Sequence, residues 1–211
     1  MPKIKLHKGT PSIDMTPMVD LAFLMVTFFM LASQFRAEEA VMVDTPRSVS
    51  EIQTPEKNIM LLSVDTTGRV FFGMDGTSKM NVLESVCAKY NVTLDATQKN
   101  TFSKMPNFGM NVTMLPSYLK WDKEKQSKYD KDITQNRGIP IDSTDNQLAD
   151  WLYAANRESK TNQTDDGKEL YDLCLKADKK TPYHVVKRVL DILKELEMNK
   201  FKMVTSLERA K

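Results

Sequence analysis

Asp20 is the residue of this chain best placed to do chemistry, because it is the one carboxylate in an apolar run, PMVDLAFLMVTFFMLASQ, from Pro17 to Gln34. A carboxylate in the middle of a membrane-spanning helix costs about 2.5–3.5 kcal/mol on membrane-insertion scales, so such a group reads first as a proton or ion site. The chemistry would be reversible protonation. An ionised carboxylate seeks a polar partner, whereas a neutral one tolerates an apolar surface. At about 100° per residue, helical side chains seven apart fall nearly on one line. With Asp20 as the origin, Thr27 lies about 20° away, Thr16 and Gln34 about 40° away, and Leu24 and Leu31 within about 40°. One stripe therefore collects most of the polarity. Val19, Leu21, Phe23, Met25, Phe28, Phe29 and Met30 occupy the other faces, with Ser33 the polar exception near the far end. A helix striped in this way suits a ring of other helices.

The element that must position these residues is a single transmembrane helix over residues 15–35. Its 18-residue apolar run covers about 27 Å, slightly short of a hydrocarbon core of about 30 Å. With Thr16 as N-cap and Pro17 as the first helical residue, Asp20 falls in the first turn, where a carboxylate need only complement the helix dipole. That reading stands beside the proton reading. Thr27, likewise, either lines a water path or bonds back to a carbonyl three or four residues earlier. Lys3, Lys5 and Lys8, with His7, precede the run, and only Arg36, beside Glu38 and Glu39, closely follows it. Positive flanks stay in the cytoplasm, which puts the N-terminus there and residues 40 to 211 in a bacterial periplasm. A cleaved secretory signal competes, since a basic start, a 12-residue apolar core (Leu21–Ala32) and a small residue at Ala32 imitate one. Asp20 at the border of that core weighs against it.

Outside the run, 211 residues leave about 170 for one domain with a proper core. A net charge of +2 from 30 basic and 28 acidic residues is near balance, and no concentrated basic face argues for nucleic acid. Cys87 and Cys174 could bridge in an oxidising compartment, although buried, unpaired cysteines are the commoner outcome at this count. Residues 36–57, with Pro46, Pro55 and scattered charge, read as a linker with an edge strand near Val41–Val43. Asn58–Val64 and Arg69–Gly73 flank Asp65-Thr66-Thr67-Gly68 as a hairpin. Lys79–Tyr90 and Gln147–Arg157 space their apolar residues as helix faces. Residues 91–145 are polar and rich in turn formers, a partly helical insertion. Leu170–Ala177 alternates as a strand, and Thr181-Pro182 caps and opens a helix with Val185, Val186, Val189, Leu190, Leu193 and Leu196 as its stripe. Phe201–Thr205 closes as a strand, so that a strand, a helix and a strand suggest a crossover between parallel neighbours.

The fold class is therefore α+β. A cytoplasmic tail, residues 1–14, leads into the helix, and the linker leads to a periplasmic domain over 58–211 of mixed sheet packed with helices. No phosphate loop, GxSxG, HExxH or spaced Cys/His set occurs, so neither an enzyme nor a metal or organic cofactor is expected. His184, on a helix among valines, reads as a packing or surface residue.

These residues match a known pattern. DMTPMVDLAFLMVTFFML resembles the transmembrane signature of the ExbD/TolR biopolymer-transport family, a Thr-Pro pair, two residues, then the essential aspartate, which places Thr16, Pro17 and Asp20 on the motif. EKNIMLLSVDTTGRVFFG is similar to the family's first hairpin, and DLCLKADKKTPYHVVKRVLDILKELEMNKFKMVT to its final strand, helix and strand. The long stretch over 91–145 departs from the compact family domain. The resemblance implies a subunit driven by the proton motive force, with protons as the coupling ion. It also implies an ExbB-like polytopic partner around a pair of these helices, a homodimeric external domain, and a TonB-like protein that energises outer-membrane transporters. A TolR-like binding module, anchored in the membrane and serving envelope maintenance or cell-wall contact, is the alternative.

Overall fold

The computed structural model describes residues 14–33, 43–48, 58–162 and 171–207. They belong to two compact units, Met1–Ala37 and Glu38–Lys211. The first unit holds one helix, α1 (Thr16–Ala32).

The second unit is built on a four-stranded sheet. Its first two strands, β2 (Ile59–Val64) and β3 (Val70–Met74), form the expected antiparallel hairpin, with Leu62 opposite Phe72 and Val64 opposite Val70. The turn closes through the Gly68 amide on the Asp65 carbonyl (2.9 Å) and the Asp65 amide on the Arg69 carbonyl (3.0 Å). Gly68 has φ +84, where an L side chain is strained, and a Cβ there would stand 2.9 Å from the Val185 side chain. Two-residue strand β1 (Arg47–Ser48) precedes the hairpin.

Further along the chain, β4 (Asp172–Ala177) lies parallel to β2, and β5 (Phe201–Met203) lies parallel to β4. The sheet order is β3-β2-β4-β5. Between β4 and β5 runs α7 (Tyr183–Glu195), so the expected strand, helix and strand with parallel neighbours are present. Val189, Ile192 and Leu193 are the buried core of its stripe, while Val185, Val186, Leu190 and Leu196 are half-buried. Thr181 does not cap it. Pro182 is the N-cap, and the Thr181 hydroxyl instead donates to the Asp65 carbonyl (3.0 Å), fastening the helix entrance to the hairpin turn.

Helices α2 (Lys79–Lys89) and α6 (Gln147–Thr161) pack on each other and match the two expected helix faces, α6 running four residues further than its stripe indicated. Met60, Leu62 and Val64 of β2, Val70, Phe72 and Met74 of β3, and Leu173, Leu175 and Ala177 of β4 alternate onto one face. There they join Val82, Leu83 and Val86 of α2 and Leu148, Trp151 and Leu152 of α6 in one continuous core. Cys87 and Cys174 are both buried and free, so the bridge contemplated above does not form. Burial pushes the Cys87 thiol up to about 11.

Residues 91–145 are partly helical, as expected, with α3 (Ala96–Ser103), a 3-10 turn at Val112–Met114, α4 (Leu115–Leu119) and α5 (Lys123–Lys131). Their polar composition misleads about their role. Phe102, Phe108, Met110, Leu115, Tyr118 and Ile139 are all buried in the common core. The Phe108 and Trp151 rings meet edge to face at 4.7 Å, and Phe102 lies 5.1 Å from Phe108. The segment also closes the outer side of β3. Phe72 and Phe108 exchange two backbone bonds of 2.8 Å, and the Ile139 amide donates to the Val70 carbonyl (2.9 Å). An exposed strand edge invites pairing with other chains, and this segment removes one.

The linker expectation also needs correction. Val43 is not in a strand, and the strand that forms lies further on, where Arg47–Ser48 pairs in parallel with β6 (Ser206–Leu207). Nearby, the Asp44 amide donates to the Asp178 carboxylate (2.8 Å), and Lys179 Nζ meets the Asp44 carboxylate at 2.5 Å. Residues 43–48 are thus docked on the domain. Val41 and Met42, with the rest of 34–42 and 49–57, lie outside the described residues.

Candidate functional site

The site rests on α1, where an uninterrupted run of helix-compatible residues follows Pro17, a residue pre-set for a first turn. Met15 is the N-cap residue, Thr16 is the first helical residue and Pro17 the second. The capping side chain is one that sequence reasoning missed. Asp14 Oδ1 accepts from the Thr16 hydroxyl (2.5 Å) and from the Thr16 amide (3.0 Å). These two bonds, the hydroxyl one first, hold the Asp14 carboxyl below the usual carboxylate range. The signal was present as an Asp two residues before a Thr at the head of an apolar run, an Asx-type pattern. Thr16 is therefore a donor to the cap rather than the cap itself.

This start moves Asp20 out of the first turn, which contains no acidic residue. Electrostatic complementation of a helix N-terminus fades within that turn, and Asp14 already supplies it. Asp20 is exposed and makes no hydrogen bond or ion pair among the described residues. On the same side, Thr27 gives its hydroxyl to the Leu24 carbonyl (2.9 Å), the back-bonded arrangement that leaves it structurally quiet. Leu24 and Leu31 are exposed at 57% and 86%. Gln34 lies outside the described residues, as do His7 and the flanking lysines.

The helix ends at Ala32, with Ser33 as an extended C-cap whose amide bonds the Phe29 carbonyl (2.9 Å). The helix thus covers 17 residues within the expected span of 15–35, of which 34 and 35 lie outside the described residues. Among the described residues no helix is long and apolar enough to cross a membrane. What α1 does show is a surface at odds with water. Phe23, Phe28, Phe29 and Met30 are each at least 63% exposed, and α1 buries no residue at all. Apolar area of that extent marks a surface that another molecule or a lipid phase covers.

The arrangement thus defines a class: a single apolar helix with one uncommitted carboxylate in its second turn, joined to an α+β domain whose hairpin and strand-helix-strand unit share a mixed sheet. The chain matches the family described as Biopolymer transport protein ExbD/TolR over residues 7–208, and it belongs to that family. The bounds of the match enclose both α1 and the sheet. No curated protein and no solved structure matches the chain at a significant level.

Proposed function

We propose that this chain is the single-span subunit of a motor driven by the proton motive force, acting in the ExbD manner, with Asp20 as the proton carrier. The observation that carries the reading is the position of Asp20. It stands past the first turn of an apolar helix whose N-terminal charge demand Asp14 already meets, in a chain of the ExbD/TolR family. A carboxylate there needs either a proton or a polar partner. An ExbB-like polytopic protein surrounding the helix would supply the partner and would cover the exposed phenylalanines. A short helix fits such a ring better than open bilayer.

Membrane anchoring in a bacterial inner membrane, with the N-terminus cytoplasmic and the α+β domain periplasmic, rests on the family and on the basic flank, not on the length of α1. Each proton falling through 100 mV releases about 2.3 kcal/mol, enough to bias a helix between two seatings. The α+β domain acts as a docking module, as a dimer, towards a TonB-like transducer, and the chain performs no catalysis and holds no cofactor. Asp20→Asn is the direct test. Transport is expected to stop while membrane insertion and co-purification with a multi-span partner persist, and transport at the normal rate would remove Asp20 from the mechanism.

A further inference from the structure

A buried polar cluster joins the 112–139 segment to the hairpin turn, and its charges do not balance. Arg69, Asp65, Tyr118, Asp130 and Asn136 are all less than 9% exposed. Arg69 commits its Nε (3.1 Å) and one terminal nitrogen (2.6 Å) to the Asp65 carboxylate. Its other terminal nitrogen donates to the backbone carbonyls of Asp130 (2.9 Å) and Asn136 (3.5 Å). The Asp130 carboxylate is left with neutral donors only, the Tyr118 hydroxyl at 2.7 Å and the Asn136 amide at 3.4 Å. Two buried carboxylates thus share one guanidinium, and the pairing distances assign it to Asp65. Beside Asp130 on α5 stand Tyr129 and the cations Lys128 and Lys131, with Asp132 just beyond, and among the described residues no lysine forms an ion pair with the Asp130 carboxylate.

We propose that Asp130 is a proton-operated latch: protonated, it lets the 112–139 segment stay closed on the β2–β3 hairpin, and ionised, it favours opening of that segment. The physical reason is that an anion without a cationic partner costs free energy in a buried site and recovers its hydration when the site opens. Burial pushes the Asp130 carboxyl up to about 6, against the smaller downward pull of Tyr118, Arg69 and Asn136. The closed form therefore binds a proton that an opened form, with an ordinary value of 3.8, releases. The latch holds fully below about 3.8 and weakens as pH rises towards and past 6. Asp65 has the opposite sign. Burial raises its carboxyl, but the bonds from Arg69 and Thr66 outweigh burial and hold it below 3.8, so its contribution is lost only under stronger acid. The two carboxylates thus work in different pH ranges.

Amide hydrogen exchange on the full chain, corrected for intrinsic rates, reads the latch at the Gly138 and Ile139 amides, which are bonded to Asn136 and Val70. From pH 5 to pH 8 the opening constant of residues 112–139 is expected to rise roughly tenfold in the wild type, and to lose that dependence in Asp130→Asn. Tyr118→Phe, which removes a bond to the ionised carboxylate, is expected to move the midpoint upward. Equal opening at both pH values in the wild type overturns the proposal. Should Asp130→Asn fail to fold, a carbon-13 titration of the wild-type Asp130 carboxyl decides alone: a midpoint near 6 supports the latch, and one near 4 overturns it.

Discussion

Two carboxylates six residues apart, at the head of α1 and within it, face different physics. Asp14 lies outside the helix and is saturated by two bonds from Thr16, so its work is local and structural. Asp14→Ala is expected to fray the first turn, seen as faster amide exchange at residues 16–19, whereas Asp14→Asn keeps an acceptor oxygen and most of the protection. Transport should survive both. Asp20, one turn further in, has no bond to lose among the described residues, and replacing it by asparagine removes its ability to take up and release a proton. A loss of transport with unchanged helix protection is therefore the signature that separates the two residues. Asp20 was legible in the sequence because a carboxylate interrupts an apolar run. Asp14 was not, because a Thr-Pro pair beside it gave a sufficient local account of the helix start.

At the scale of elements, the hairpin, α2, α6 and the final strand, helix and strand could be read from periodicity because each carries its buried residues at a regular spacing. The segment over 91–145 could not. Its buried side chains, among them Phe102, Phe108, Met110 and Leu115, follow no single period and are separated by Pro106, Asn107 and Gly109. Only the partner surface, β3 and Trp151, makes sense of them, and that contact is remote in sequence. The buried polar groups were hidden for the same reason. Asp130 sits in a lysine-rich stretch that looks solvated, whereas it is buried and its backbone carbonyl accepts from Arg69, 61 residues away. Gly109 gives a local test of how closely this segment fits. A Cβ there would lie 2.2 Å from the Phe71 ring, which is fully buried and has the Arg69 guanidinium 5.5 Å from its centre. The ring cannot retreat without disturbing the hairpin turn, so Gly109→Ala is expected to cost about 1–3 kcal/mol by overpacking. A denaturant titration of the domain measures it; an unchanged midpoint would mean the segment shifts freely, against the backbone bonds that tie Phe108 to Phe72.

For the whole molecule, the important fact is where the core lies. Among the described residues every core side chain belongs to the second unit, and α1 buries none. The α+β domain thus has a hydrophobic core of its own. That separation makes an exchange experiment readable. Replacing residues 17–34 by an unrelated apolar span of equal length keeps an anchor and leaves the core untouched, so the thermal unfolding of the domain is expected to stay within about a degree or two of the wild type. If α1 is the proton-carrying part of a motor, transport falls to background in the exchanged protein, and restoring an aspartate at position 20 alone recovers little, because the partner must also recognise the stripe of Leu24, Thr27 and Leu31. If α1 only tethers a binding module, the exchanged protein works as before. The second outcome would reduce the apolar helix to an anchor and move the function entirely into the domain, where the hairpin, the crossover and the segment that closes on them would have to account for it.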